Sequence, residues 1–186
     1  TIQQAVGSAV DFQAIVDTVG DQLREVFATG DLGIFWCDKQ TRLNSSLYIY
    51  EHGVRLQIPS RVMEPDGVVA RFYRTRKVRL VNSQAEQAAL GLDAIPGTDQ
   101  ARSIVTVPMM AGERIFGALQ LENHERDNAF GPAEVRLLET ITASMAVALL
   151  NAKSYDAERQ RAAELAIVNS VQAGLASKLD MQAIYD

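Results

Sequence analysis

From residue 133 to residue 173 the chain contains neither glycine nor proline. A run of about 41 residues without a breaker predicts one continuous helix, roughly 60 Å long at the α-helical rise. Such a helix outruns any single body that 186 residues can build, so its far half has to leave that body. The near half carries a core-facing stripe, in which Val135, Leu138, Ile141, Met145, Ala148, Leu149 and Ala152 recur at helical spacing. Its start is equally marked: Gly131 suits an N-cap, Pro132 the first helical position and Glu134 the positive first turn. Phe130 is placed to pack on Val135 as a hydrophobic staple. The far half, "SYDAERQRAAELAIV", is charged and alanine-rich with sparse apolar residues. It reads as a connector, or as a coiled-coil seam shared with a second copy of the chain.

Upstream the periodicity changes. Asp11 reads as a helix N-cap, followed by Phe12, Ile15, Val16, Val19, Leu23, Val26 and Phe27 at helical spacing to about Ala28. "LGIFWC" is β-branched and aromatic, a buried strand. "NSSLYIYEHG" and "VRLQIP" suggest a hairpin turning at Gly53. "EPDGVVARFYRTRK" predicts a short helix with basic residues at its end, where they complement the dipole. "VRLVN" is a short strand. Residues 83–100 are polar and alanine-rich, broken by Gly91, Pro96 and Gly97, and read as a loop with a little helix, mobile by composition. Residues 103–123 form two strands joined by a turn at Ala111, Gly112 and Glu113. Tight turns between neighbours make at least part of the sheet antiparallel, so the fold class is α+β, with a sheet of about six strands flanked by helices.

Composition narrows the role. At 47% hydrophobic and 22% charged the chain has an ordinary globular make-up. A net charge of −5 argues against a nucleic-acid groove or an anionic membrane surface, both of which want a basic face. No apolar run reaches the roughly 18 residues that span a bilayer, and "TIQQAVGSAVDF" has no signal-peptide pattern. The single cysteine, Cys37, cannot form an internal disulfide, which fits a cytoplasmic setting. The chain does not begin with methionine and is read as a fragment or a processed form.

The strand "SIVTVP" (residues 103–108), the strand "GALQLEN" (residues 117–123), Phe130, Leu137, Leu138 and "ITASMAVALLNA" together resemble the GAF domain. The likeness covers about residues 11–155 and implies a PAS-related fold with helices on both sides of the sheet. GAF domains often occur in tandem in bacterial multidomain signalling proteins, which gives an account of an internal repeat. "DFQAIVD" at residues 11–17 returns as "DMQAIYD" at residues 180–186, with five of seven positions identical, about 169 positions later. The implied organisation is a truncated linker helix at 1–10, a GAF domain at 11–155, a connecting helix at 156–179 and the start of a second GAF domain at 180–186. The implied role is a cytoplasmic regulatory module, not an enzyme. It would sense a small molecule, need no cofactor, pair as a homodimer through its terminal helices and pass its state to a downstream output domain. The alternative is a ligand-free structural module for dimerisation and transmission.

Each chemical candidate has a plain structural role as its rival. Cyclic-nucleotide-binding members carry N-K…F-x-x-x-D-E; here Asn123 and Phe130 match, while His124, Glu134 and Val135 do not, so that signature is degenerate. Bilin-binding relatives place a cysteine near the pocket, and free methionine sulfoxide reductases need several; Cys37 reads instead as a packed strand thiol. His52 and His124 lie in separate loops without metal-ligand spacing and read as solvated. Arg71, Arg74, Arg76, Lys77 and Arg79 read as a solvated helix end. On β-strand alternation, Leu119 and Leu121 share one face, while Ala118, Gln120 and Glu122 share a partly polar one suited to a pocket. The resemblance puts that pocket between the sheet and residues 62–102. Its expected lining is Trp36, Leu56, Val68, Phe72, Tyr73, Leu90, Ile95 and Val105, with Gln100 and Ser103 as polar contacts.

Overall fold

The computed structural model describes residues 2–27 and 30–185, with side chains for 12–27 and 30–172. Its strands are β1 (Leu32–Asp38), β2 (Leu43–Glu51), β3 (Val54–Leu56), β4 (Arg61–Val62), β5 (Arg79–Val81), β6 (Ser103–Ala111) and β7 (Arg114–Asn123). They form one sheet in the order β3-β2-β1-β7-β6-β5, with β4 pairing on β2, and every pair is antiparallel. The expected six strands thus become seven through the two-residue β4. The β2–β3 turn forms at His52 and Gly53, which both take positive φ, 49° and 80°, as a two-residue hairpin turn requires.

Helix α1 spans Ile2–Val26, so Asp11 lies inside it and does not cap it. The residues ahead of Asp11 continue the helical backbone. Phe12, Val16, Leu23 and Phe27 are buried as expected, whereas Ile15 and Val26 face out. The two short helices are α2 (Val68–Thr75) and α3 (Gln84–Leu90). Helix α4 runs Pro132–Tyr185 without a break. The Glu134 carboxylate accepts the Gly131 N–H at 2.9 Å, closing its first turn. The connecting segment at 156–179 and the repeated motif at 180–185 both lie in this one helix; the motif's side chains fall outside the described residues.

Helices α1 and α4 cover one face of the sheet. There Leu138, Met145, Ala146 and Leu149 of α4 pack with Val105, Val107, Leu119 and Leu121. Ala146 is buried and Ala148 exposed, so the stripe turns one position from the expected one. Each large apolar side chain fully buried here contributes roughly 1.5–3 kcal/mol. Helix α2 lies on the other face, where Phe72 and Tyr73 pack with Cys37, Ile115 and Ala118. Past Asp156 the described side chains of α4 are exposed or only half-buried, and the helix leaves the body there.

Two register shifts interrupt the ladders. In β6–β7 the shift falls between Met109 and Met110, so that Met110 faces Ile115 but Met109 faces Gly117. In β1–β2 it falls between Ile34 and Phe35.

Candidate functional site

A cavity of about 240 Å³ opens between the sheet and the layer formed by α2 and the segment from Gly91 to Ala101. That is just below the usual range of small-molecule sites, roughly 300–1,000 Å³, and suits a small metabolite. Cross-strand rows make its floor. Phe35 pairs with Ala118; Arg79, Thr106 and Gln120 form the next row; Ile104 pairs with Glu122 beyond it. Val68, Phe72 and Tyr73 of α2 form one wall, and Ile95 and Gln100 stand in the other.

The floor is a hydrogen-bonded relay. Thr106 Oγ1 donates to Gln120 Oε1 at 3.0 Å, and Gln120 Nε2 donates to Glu122 Oε1. Burial pushes the Glu122 carboxyl above its ordinary range; the Gln120 hydrogen bond and His124 oppose that, while Glu51 and Asp31 add to it. At the other end Arg79 lies with its guanidinium 4.9 Å from the Phe72 ring centre, and its Nε is buried without a hydrogen-bond partner. Burial lowers the Arg79 pKa from its usual value. Tyr73 is buried, its pKa pushed up by desolvation, and its hydroxyl donates to Asn44 Oδ1 at 2.9 Å. One end of the cavity therefore offers an underused cation, the other a carboxyl held by an amide.

The outer wall is pegged by two glutamines. Gln87 is 1% exposed, and its Nε2 donates to the Ala101 carbonyl at 2.8 Å. Its Oε1 accepts from Gln100 Nε2, and Gln100 Oε1 accepts the Ala94 N–H at 2.7 Å. The expected loop with a little helix is thus α3 followed by a hydrogen-bonded strap.

Of the residues expected to line the site, Val68, Phe72, Tyr73, Ile95 and Gln100 do so. Trp36 does not: it packs edge-on against Phe12 and lies 5.1 Å from Phe116, under the helices on the opposite face. Val105 is in that same core. Ser103 donates to the Arg126 carbonyl at 2.9 Å and accepts the Ala129 N–H at 3.3 Å, so it ties down the loop before α4. Leu56 sits on edge strand β3, and Leu90 is 42% exposed at the end of α3; neither reaches the cavity. Alternation along β7 places Ala118, Gln120 and Glu122 on the cavity side as expected, but the pattern gives no sign of Phe35, Ile104, Thr106 or Arg79, which also line it. Cys37 is buried, with its pKa raised mainly by desolvation, as a packed thiol should be.

The two histidines do not stand apart: His52 is solvent-exposed in its turn as expected, but His124 is not. Their rings lie 4.5 Å apart at the end of the cavity floor, and the His124 side chain is 9% exposed. His124 Nδ1 pairs with Asp31 Oδ2 at 2.9 Å. His124 Nε2 stands 3.7 Å from Glu51 Oε2 and 3.7 Å from Glu122 Oε2. His52 Nε2 lies 3.2 Å from Asp99 Oδ2. Glu122 thus belongs to both the cavity and this cluster.

No curated protein matches the chain. Among solved structures, the GAF domain/HD domain protein from Geobacter sulfurreducens superposes with a TM-score of 0.60 at 14% identity, over 80% of this chain and 97% of its own. The GAF domain of a two-component sensor histidine kinase from Bacillus halodurans gives 0.62 at 14% identity, over 76% and 95%. A far-red cyanobacteriochrome photoreceptor gives 0.62 at 16% identity, over 81% and 92%. These likenesses show a shared fold. No helix among the described residues is long and apolar enough to cross a membrane. The family profile described as GAF domain matches residues 9–150, and the chain belongs to that family.

Proposed function

We propose that this chain is a sensory module whose cavity takes a small molecule and whose α4 helix carries the result to a neighbouring domain. The observation that carries the reading is the cavity itself, with the unpartnered Arg79 Nε at one end and the Gln120–Glu122 pair at the other. A short ligand with an anionic or acceptor end and a donor end satisfies both. Transmission has a physical route. Thr106 and Ile104 line the cavity, while Val105 and Val107 of the same strand pack under α4. A displacement of β6 by a ligand is therefore felt by the helix that leaves the body. The likeness to a sensor histidine kinase's GAF domain and to a photoreceptor agrees with this reading.

In the same proposal the chain binds and does not catalyse, works in the cytoplasm, and acts in a protein with an output domain and a second GAF domain beginning near residue 180. Pairing through α4 is supported by Leu165, Ile167, Val168 and Val171, which are 49–62% exposed and span one half of the helix circumference. Sedimentation of the wild type and of a Leu165→Glu, Val168→Glu variant tests the pairing: a dimer that becomes a monomer supports it, and a monomeric wild type ends it.

A thermal-denaturation screen of amino acids, nucleotides and small carboxylates tests the ligand. A true ligand at a hundredfold excess over its Kd adds about 3 kcal/mol, and the effect disappears in Ala118→Leu, which fills the floor. A second reading has one observation in its favour: Phe72 and Tyr73 already fill part of this face against Ile115 and Ala118. If no compound shifts the melt, the module is structural and its cavity is incidental.

A further inference from the structure

We propose that His124, Glu51 and Glu122 form a binding site for a divalent transition-metal ion of the zinc class. One ligand atom from each of the three lies within 4.8 Å of the others. The second observation is His124 Nε2, which is buried and has no hydrogen-bond partner, though it points between two carboxylates. Its 3.7 Å separations are too long for hydrogen bonds. They are close to the distance of about 3.4 Å between neighbouring ligands of a tetrahedral ion with bonds of roughly 2.0–2.2 Å.

The surroundings orient each group. Asp31 Oδ2 accepts a hydrogen bond from His124 Nδ1–H, which orients the ring and leaves Nε2 as the atom that faces the two glutamates. Asp31 Oδ1 is itself held by the His52 N–H at 2.9 Å. Glu51 Oε1 accepts the Asp99 N–H at 3.0 Å, and Glu122 Oε1 accepts from Gln120. In each glutamate one oxygen is thus used by the fold, and the other is the one facing His124.

Charge points the same way. Among the described residues the ion pairs of Asp31, Glu51 and Glu122 are all with the two histidines. Three carboxylates with so little positive charge are a costly cluster unless a cation joins them. The imidazole ligand favours zinc, cobalt, iron or nickel over magnesium or calcium, which prefer all-oxygen sites. This inference stands whether or not a small molecule fills the cavity.

Untagged protein, stripped with chelator and dialysed, is titrated with Co²⁺ and then with Zn²⁺. The expected result is one equivalent of Co²⁺ with visible d–d absorption, displaced by Zn²⁺. His124→Ala and Glu51→Gln should abolish it, while Asp31→Asn should weaken it about tenfold to a hundredfold. His52→Ala should leave binding in place. Because a variant can fail to fold, the wild type is also labelled with ¹⁵N-histidine, whose two imidazoles are resolved directly. Zn²⁺ should move the Nε2 resonance of His124. The proposal is overturned if the wild type binds neither ion, if His124 Nε2 does not respond, or if folded Glu51→Gln binds as tightly as wild type.

Discussion

Thr106 stands directly across the β6–β7 ladder from Gln120 and donates its hydroxyl to the Gln120 amide oxygen at 3.0 Å. Thr106 is 2% exposed, so the donor itself is shielded from bulk solvent. Thr106→Val keeps the shape and removes the proton, leaving the Gln120 oxygen unpaired. We expect a loss of about 1–3 kcal/mol in urea titrations with an unchanged m-value. Thr106→Ser should retain most of the stability. A Thr106→Val protein as stable as wild type would mean that the relay contributes nothing to the fold.

Gly117 is fixed by a backbone contact. A Cβ there would stand 2.3 Å from the Phe35 carbonyl oxygen and 2.3 Å from Met109 Cε. The methyl end of Met109 can move aside; the Phe35 carbonyl, held in the β1–β7 ladder, cannot. Gly117→Ala should therefore destabilise by about 1–3 kcal/mol. Adding Met109→Ala should not restore the loss. A double-mutant cycle measures this, and strong rescue would identify Met109 as the obstacle instead.

The same strands explain what was legible in the sequence. The alternation of polar and apolar residues in β7 revealed both faces, because Gln120 and Glu122 contrast with Leu119 and Leu121. Phase did not carry over to β6. A plain hairpin turning at Gly112 and Glu113 would set Val105 opposite Gln120; the register shift at Met109 sets Thr106 there. One inserted residue thus moved Ser103 and Val105 to the helix side and brought Ile104 and Thr106 into the cavity. In β1 every candidate from Leu32 to Cys37 except Gly33 is apolar, so nothing in the string distinguishes Phe35 from Trp36. The His52–His124 contact was illegible for another reason: it joins two turns that only the β2–β1–β7 order makes neighbours. The long helix and the family likeness were plain, since both rest on local pattern.

Gln87 holds the outer wall from inside. Replacing it with leucine removes the donor to the Ala101 carbonyl and the acceptor for Gln100. Gln100 then has one less reason to hold the Ala94 N–H. Hydrogen exchange should quicken between residues 92 and 101 while β7 and the buried part of α4 keep their protection. Exchange that quickens uniformly across the chain would point to global destabilisation and not to a released strap.

Tyr48 gives the fold an alkaline limit that can be measured. Its ring is buried beside Gly20 of α1, and its hydroxyl donates to Asp21 Oδ1 at 2.7 Å. Burial first, and then the bond to Asp21, push its pKa from 10.0 to about 12, with Arg24 opposing. The unfolded chain releases this proton near pH 10, whereas the folded chain keeps it until about 12. Between those values the native state holds more protons than the unfolded state, so stability falls as pH rises. The contribution is complete below pH 10 and gone above about 12. Tyr48→Phe lacks the proton and the hydrogen bond but keeps the ring under Arg55, whose guanidinium lies 3.8 Å from the ring centre. At neutral pH the variant should be less stable by about 1 kcal/mol. From pH 10 upward the difference should shrink, because wild type loses stability faster. Urea titrations of both proteins at several pH values measure the difference directly, and curves that stay parallel through that range would remove Tyr48 as the source of the alkaline limit.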